Sequence, residues 1–322
     1  MEIGGRVRIT PPPADAARSR ISQLAGALDA AVMMSVPLPS IISHFASLAP
    51  AYDVLLCDVW GVVHNGLAAT LESCDALMRF RDQGGTVILI TNAPRPGNVV
   101  MEFIERLKVP RAAYDGIISS GDVTRAEIAE RAGKSIFHIG PQRDLPIFDG
   151  LDVRVAPVES ADYVVCSGLF DDTTETPHDY HDLIEEMRRR ELLMVCANPD
   201  IVVERGEQLV YCAGAIADLY ATAGGEVLFA GKPYRPIYEL ALSCAQRLRA
   251  QAVDHRRVLA IGDSVRTDLK GAVAFGIDCL FVTAGIHAEE LGGRESPDPA
   301  ALGDVFAAAG LYPKTVMRRL QW

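Results

Sequence analysis

Residues 52–66, YDVLLCDVWGVVHNG, carry an apolar stretch into Asp58 and then into a glycine-containing turn. An apolar run bounded by a turn is the pattern of a strand buried on both faces, as in a parallel sheet. In open α/β sheets the ligand crevice lies outside the carboxyl ends of the strands, so an aspartate delivered there is placed for chemistry rather than packing. Taken alone, the segment also fits a polar residue that merely opens a loop. Three later segments with complementary chemistry favour the first reading.

Outward from this stretch, apolar runs alternate with helix-like segments. VLLCDVW is followed by a helical pattern over 71–83, TVILITN by one over 97–108, and GIISSGD by one over 123–132. Strands and helices alternating at this spacing imply βαβ units and a mostly parallel sheet. After AGKP (230–233) the rhythm resumes with a helix over 237–250, RRVLAIGDS, a helix over 266–275 and the strand DCLFVT. Between these halves the chain starts afresh with SIFHIG, DVRVAP, ADYVVCSGLF, a charged helix near 178–190, and LLMVCANPD. The expected fold class is α/β: a doubly wound, Rossmann-like parallel-sheet core built from residues 39–133 and 229–322, with an α/β domain inserted over 134–228. Residues 1–38, with Pro11 to Pro13 and an Ala-rich stretch, read as an N-terminal extension with little order.

Composition excludes several classes of partner. A net charge of -11 over 322 residues argues against nucleic acid and anionic membrane surfaces, which select clustered Lys and Arg. The seven cysteines are scattered, without a CxxC pair or a His-linked metal spacing, so they read as small core residues in a reducing compartment. No apolar run reaches bilayer length, and a cytoplasmic location is expected. The expected partner is a small molecule, and homo-oligomerisation stays open.

Four segments then supply the chemistry: Asp58 in CDVWG, Thr91 and Asn92 in LITNAP, Lys232 in AGKP, and Asp263 with Asp268 in IGDSVRTD. Mg²⁺ is a hard cation that takes oxygen ligands, commonly one or two carboxylates with phosphate and water. Asp58 and Asp263 suit it, with Asp268 in support. Thr91 and Asn92 can hydrogen-bond phosphate oxygens, and Lys232 can offset the charge that develops on them during transfer. Each short segment alone is as often a turn, a cap or a solvated lysine. Their succession, each after a strand-like run, points to a site.

In these motifs the chain resembles a haloacid dehalogenase-superfamily hydrolase of the class IIA, NagD-like phosphatase type. The resemblance covers residue 41 to the C-terminus. It implies Asp58 as nucleophile, Thr91 as the second motif, Lys232 as the third, and Asp263 with Asp268 as the fourth. Residues 197–200, ANPD, are similar to a segment of the family's large α/β cap, so the inserted domain would be that C2-type cap, closing over the sheet edge to exclude water and select the substrate.

The chain departs from the family pattern at Trp60, where family phosphatases carry a second aspartate that serves as general acid and then base. Tryptophan cannot transfer that proton, although the backbone carbonyl of residue 60 remains an implied Mg²⁺ ligand. A positioned acid or base contributes roughly 10²- to 10⁴-fold in rate. The implied function is a Mg²⁺-dependent phosphatase that hydrolyses a small phosphorylated metabolite through an aspartyl-phosphate on Asp58, slowed at Trp60. Two alternatives are a catalytically weak phospho-ligand-binding or regulatory protein and a phosphotransferase.

The Trp60 ring reads either as filler beneath the cap or as a face toward the substrate, with its N–H available to a phosphate oxygen. His64 reads mainly as an exposed turn residue and secondarily as a substitute proton carrier. Asp53, Asp171 and Asp172 read as solvated acids. The stretches 168–178 and 198–206 read as recognition loops.

Overall fold

A computed structural model of the chain describes residues 38–205, 208–293 and 297–322. The extension expected over 1–38 lies outside the described residues except for Leu38. The strands are numbered in chain order. The larger sheet is formed by β1 (Ser40–Ile41), β2 (Val54–Asp58), β3 (Thr86–Thr91) and β4 (Gly116–Ser119), together with β12 (Val258–Gly262), β13 (Asp278–Val282) and β14 (Thr315–Met317). The smaller sheet takes β5 (Ser135–Ile139), β6 (Arg154–Val155), β7 (Tyr163–Cys166), β8 (Met194–Cys196) and β11 (Val227–Phe229). A hairpin of β9 (Val202–Arg205) and β10 (Gln208–Tyr211) stands apart.

The larger sheet runs in the order β1-β14-β13-β12-β2-β3-β4, with every pairing parallel. It is therefore assembled from both ends of the described chain. Successive residues of β2 alternate between two apolar layers: Val54 and Leu56 pack with Ile237, Tyr238 and Ala241 of the helix Arg235–Arg249, while Leu55 and Cys57 pack with Leu77 and Phe80 of the helix Leu71–Asp82. Helices on both faces explain why the strand is apolar at every position before Asp58.

The smaller sheet, ordered β11-β8-β7-β5-β6, is also parallel, and the helices His181–Arg189 and Ala213–Thr222 pack against it through Ile184, Met187, Ile216 and Tyr220. Because β11 belongs to this sheet through Phe229, the smaller sheet extends one residue past the boundary placed at 228/229. The sequence pattern does not separate the four-residue strands β9 and β10 from loop.

The segment 266–275, expected as one helix, opens with a π-helical turn, Val265–Leu269, before the α-helix Lys270–Phe275. Ser264 causes the widening: its carbonyl accepts from the N–H groups of both Asp268 and Leu269 at 3.0 Å, and its side chain accepts from Thr267 N–H. All seven cysteines are free and six are buried. Among the described residues no helix is long and apolar enough to cross a membrane.

Candidate active site

Asp58 ends β2 at the point where the strand order reverses, with β3 on one side and β12 on the other. Its Cα pairs with Ile90, so Thr91 lies one residue beyond on β3, while Asp263 follows Gly262 at the end of β12. Three neighbouring strands thus release an aspartate, a threonine and a second aspartate at one carboxyl edge, the position of ligand crevices in open α/β sheets. Lys232 arrives from the smaller sheet, in the loop that leaves β11. A cavity of about 560 Å³ is lined by Asp58, Thr91, Asn92, Lys232 and Asp263. Asp268 supports it from behind.

The lysine is the electrostatic centre of the group. Lys232 Nζ donates to Asp58 Oδ1 at 2.5 Å and to Asp268 Oδ1 at 2.7 Å, and all three side chains are nearly solvent-free. Asp263 Oδ2 accepts from Ile286 N–H at 2.8 Å. This carboxylate fits only because two glycines flank it: a Cβ at Gly61 or Gly285 would lie 2.0 or 1.9 Å from Oδ2, and Gly61 also has φ +83°.

Carboxylate oxygens of Asp58, Asp263 and Asp268 lie within 4.8 Å of one another. A single ammonium cannot balance three carboxylates, and the donor set is all oxygen. The residues therefore fit a small, hard divalent cation.

Titration follows from this crowding. Burial, then the charge of Asp268, raises the carboxyl of Asp58 well above its ordinary range. Burial and Asp268 likewise push Asp263 up to about 7. Burial opposes the charge on Lys232, but Asp268, Asp58 and Asp200 more than restore it, and its ammonium titrates well above the usual lysine value.

A carboxyl with a raised folded-state pKa binds its proton more tightly when folded, so it stabilises the fold at low pH. Without a divalent cation, this contribution declines as pH rises from the ordinary value of 3.8 to about 7, and it is gone above that. Mg²⁺ is accordingly expected to raise the melting temperature more at about pH 8 than at about pH 5.5, and Asp263→Asn should remove most of the difference. Scanning calorimetry at the two pH values checks this, and an equal Mg²⁺ increment at both would contradict it.

The remaining expected residues divide. Thr91 lines the cavity, and its hydroxyl accepts from Ala93 N–H at 3.2 Å. Asn92 is also present, but its amide is already engaged. Nδ2 donates to Asp200 Oδ1 at 2.9 Å and to the Lys232 carbonyl at 3.1 Å, while Oδ1 accepts from Lys232 N–H at 2.7 Å. The Asn92 side chain, expected on phosphate, instead ties the lysine loop to Asp200. In the sequence Asp200 stands out only as the last residue of the ANPD segment. An acid following a short buried strand of the smaller sheet carries no local signal that it meets residue 92 of the larger one.

Trp60 lines both this cavity and a second one of about 490 Å³. The ring therefore forms a wall, while its Nε1 is buried without a hydrogen-bond partner in the protein. His64 is 1% exposed, packs edge-on to the Trp60 ring at 5.0 Å, and accepts Gly66 N–H on Nδ1 at 2.9 Å. Burial holds its imidazole down at about 4. It lines neither cavity, which corrects the expectation of an exposed turn residue and removes it as a proton carrier.

Asp53 pairs with Arg257 at 2.6 Å. Asp172, expected as a solvated acid, has a side chain only 7% exposed and pairs with Arg143 and Arg205. Asp171 remains an exposed loop acid, accepting from Thr173.

Comparison with protein families matches residues 55–154 to a haloacid dehalogenase-like hydrolase profile and residues 229–309 to a HAD-hydrolase-like profile. Among solved structures, a hydrolase of the haloacid dehalogenase-like family from Brucella suis 1330 is 46% identical, with a TM-score of 0.78, covering 87% of this chain and 99% of that one. The p-nitrophenyl phosphatase from Archaeoglobus fulgidus is 18% identical, with a TM-score of 0.63 over 84% of this chain and 97% of that one, a likeness of fold. The D-glycerol 3-phosphate phosphatase of Mycobacterium tuberculosis is 27% identical over 250 residues, or 75% of this chain. The match spans 65% of the length of that relative.

Proposed function

The chain belongs to the haloacid dehalogenase-like hydrolase family, and on that premise we propose that it is a NagD-like, Mg²⁺-dependent phosphatase of a small phosphorylated metabolite. The observation that carries the proposal is the buried Asp58–Lys232–Asp268 constellation beside Asp263, at the carboxyl edge of adjacent strands. Phosphatase relatives support the reaction class.

In this reading a carboxylate oxygen of Asp58 attacks phosphorus, the ester P–O bond breaks, and the leaving oxygen departs with its electron pair. Water then attacks the aspartyl-phosphate, releasing phosphate and restoring Asp58. Lys232 holds Asp58 in place and faces the charge on the phosphoryl oxygens, with Thr91 as a further donor. Asn92 positions the Lys232 backbone. Asp58, Asp263, Asp268 and the carbonyl of Trp60 would hold Mg²⁺, which supplies charge neutralisation at the phosphoryl group. The domain built on the smaller sheet acts as the cap.

Both proton transfers lack a side chain at position 60. Esters with acidic leaving groups should therefore react best, and the second step should lag. The expected result with an aryl phosphate is a burst of leaving group followed by slow release of phosphate, measured separately after rapid mixing. Linear progress curves from the first turnover would sink the slow-second-step reading. Trp60 also favours a second reading, a binding or regulatory protein that keeps the phosphate pocket without efficient turnover, and a transferase passing the phosphoryl group to an acceptor other than water would suit slow hydrolysis. Product analysis separates them: free phosphate marks a hydrolase, a new ester a transferase, and neither a binding protein.

A further inference from the structure

The second cavity adjoins the first, sharing Trp60, Thr91, Asp200 and Val203 as common walls. A group attached to a phosphate held at Asp58 and passing the Trp60 ring would enter it. Among the described residues, four arginines line it (Arg95, Arg106, Arg143 and Arg205) against three aspartates. In a chain of net charge -11 this is a local reversal of sign.

The arrangement at its far side is built around Asp172. This one carboxylate receives Nη2 of Arg143, from the turn after β5, and both terminal nitrogens of Arg205, at the end of β9, at 2.7 and 3.4 Å. Burial would push the acid up, but the two guanidiniums hold it below the ordinary carboxylate range. The Asp172 side chain is 7% exposed, whereas those of Arg143 and Arg205 are 46% and 43% exposed.

The acid therefore sits behind and the guanidiniums face outward, two cations to one anion. Each guanidinium presents five N–H donors in a rigid fork, so donors beyond those on Asp172 are left for a ligand. Arg95 is matched by Asp144 at 2.9 Å, and Arg106 has no ion-pair partner among the described residues.

Resting on the phosphatase reading above, we infer that the natural substrate carries a second anionic group on its leaving portion, a carboxylate or a second phosphoryl group, which Arg143 and Arg205 bind. Two guanidiniums pre-aligned by a shared buried carboxylate lose little freedom on meeting such a group, and charge-assisted forks suit either anion.

The test compares near-isosteric esters: 4-carboxyphenyl phosphate against its neutral 4-carbamoylphenyl counterpart, with 1,4-phenylene bisphosphate as the phosphoryl arm. The wild-type protein is expected to favour one of the anionic esters in kcat/KM by roughly 10- to 100-fold. Which one wins identifies the anion. In Arg143→Gln and Arg205→Gln that ratio should fall toward unity, a comparison internal to each variant and so independent of how much folded protein it yields.

Calorimetric binding of the corresponding phosphonates, which cannot turn over, runs alongside. If no ester is hydrolysed, the phosphatase reading fails and the affinity ratio of the phosphonates still tests the cleft. Equal values for charged and neutral compounds in wild type, or a ratio preserved in both variants, would overturn the inference.

Discussion

Asp58→Asn is expected to eliminate both the burst of leaving group and the release of phosphate from an aryl phosphate, a loss on the order of 10⁴- to 10⁶-fold, as for other removed nucleophiles. The amide is nearly isosteric and keeps an oxygen that can accept from Lys232 Nζ, now 2.5 Å from Asp58 Oδ1. Folding should survive, since the substitution also removes one of three buried carboxylates that lie within 4.8 Å of one another. It lacks the anionic oxygen that, in the proposed mechanism, would form the bond to phosphorus. Rapid-mix kinetics with separate detection of the two products is the measurement. A residual burst in Asp58→Asn would locate the nucleophile elsewhere, whereas phosphate-analogue binding with no turnover in either protein would favour the binding-protein reading.

Lys232→Met is expected to damage both stability and rate, and the two effects separate. The Lys232 side chain is 3% exposed and bonded to both Asp58 and Asp268. Removing it leaves buried carboxylates facing each other without that counter-charge. Breaking a buried pair in this way costs about 3–5 kcal/mol. The sign of the rescue distinguishes electrostatics from packing. With the ammonium gone, a divalent cation meets less competition for Asp58 and Asp268, so Mg²⁺ should raise the melting temperature of Lys232→Met more than that of wild type.

At saturating Mg²⁺ the folded variant should still lose roughly 10²- to 10³-fold in kcat, the scale for one lost donor to a developing anion. Thermal unfolding with and without Mg²⁺, followed by kinetics on the rescued protein, checks both parts. A variant that is as stable as wild type without Mg²⁺ would show that the lysine does not balance the acids. Full activity after rescue would remove Lys232 from the chemistry.

Much of this site was legible in the sequence because the fold places it by a local rule. A parallel strand buried on both faces must be apolar throughout, so the polar residue that ends it is visible as a break. Asp58, Thr91 and Asp263 each appear in that way, after VLLC, VILI and VLAIG. The sheet order β12-β2-β3 then makes those three breaks neighbours. Helix ends moved by a few residues. The π-helical turn at Val265–Leu269 escaped because a single serine carbonyl, accepting from two N–H groups, decided it.

The α/β class, the strand-end aspartates, the lysine and the absence of an acid at position 60 are thus all readable from the chain without its fold. Each is written in periodicity or in residue identity. Which side chains spend their hydrogen bonds on one another follows only from contacts between distant parts of the chain. Asn92 meets Asp200, 108 positions away, and is thereby committed to holding the lysine loop rather than a phosphate. Asp172 meets Arg205, 33 positions away, and changes from an apparent loop acid into the buried partner of two arginines. His64, in what reads as an exposed turn, is covered by Trp60 and Phe103. The physical reason is common to all three: burial and pairing of a polar side chain depend on what the fold brings against it, and no short stretch of chain contains its own distant partner.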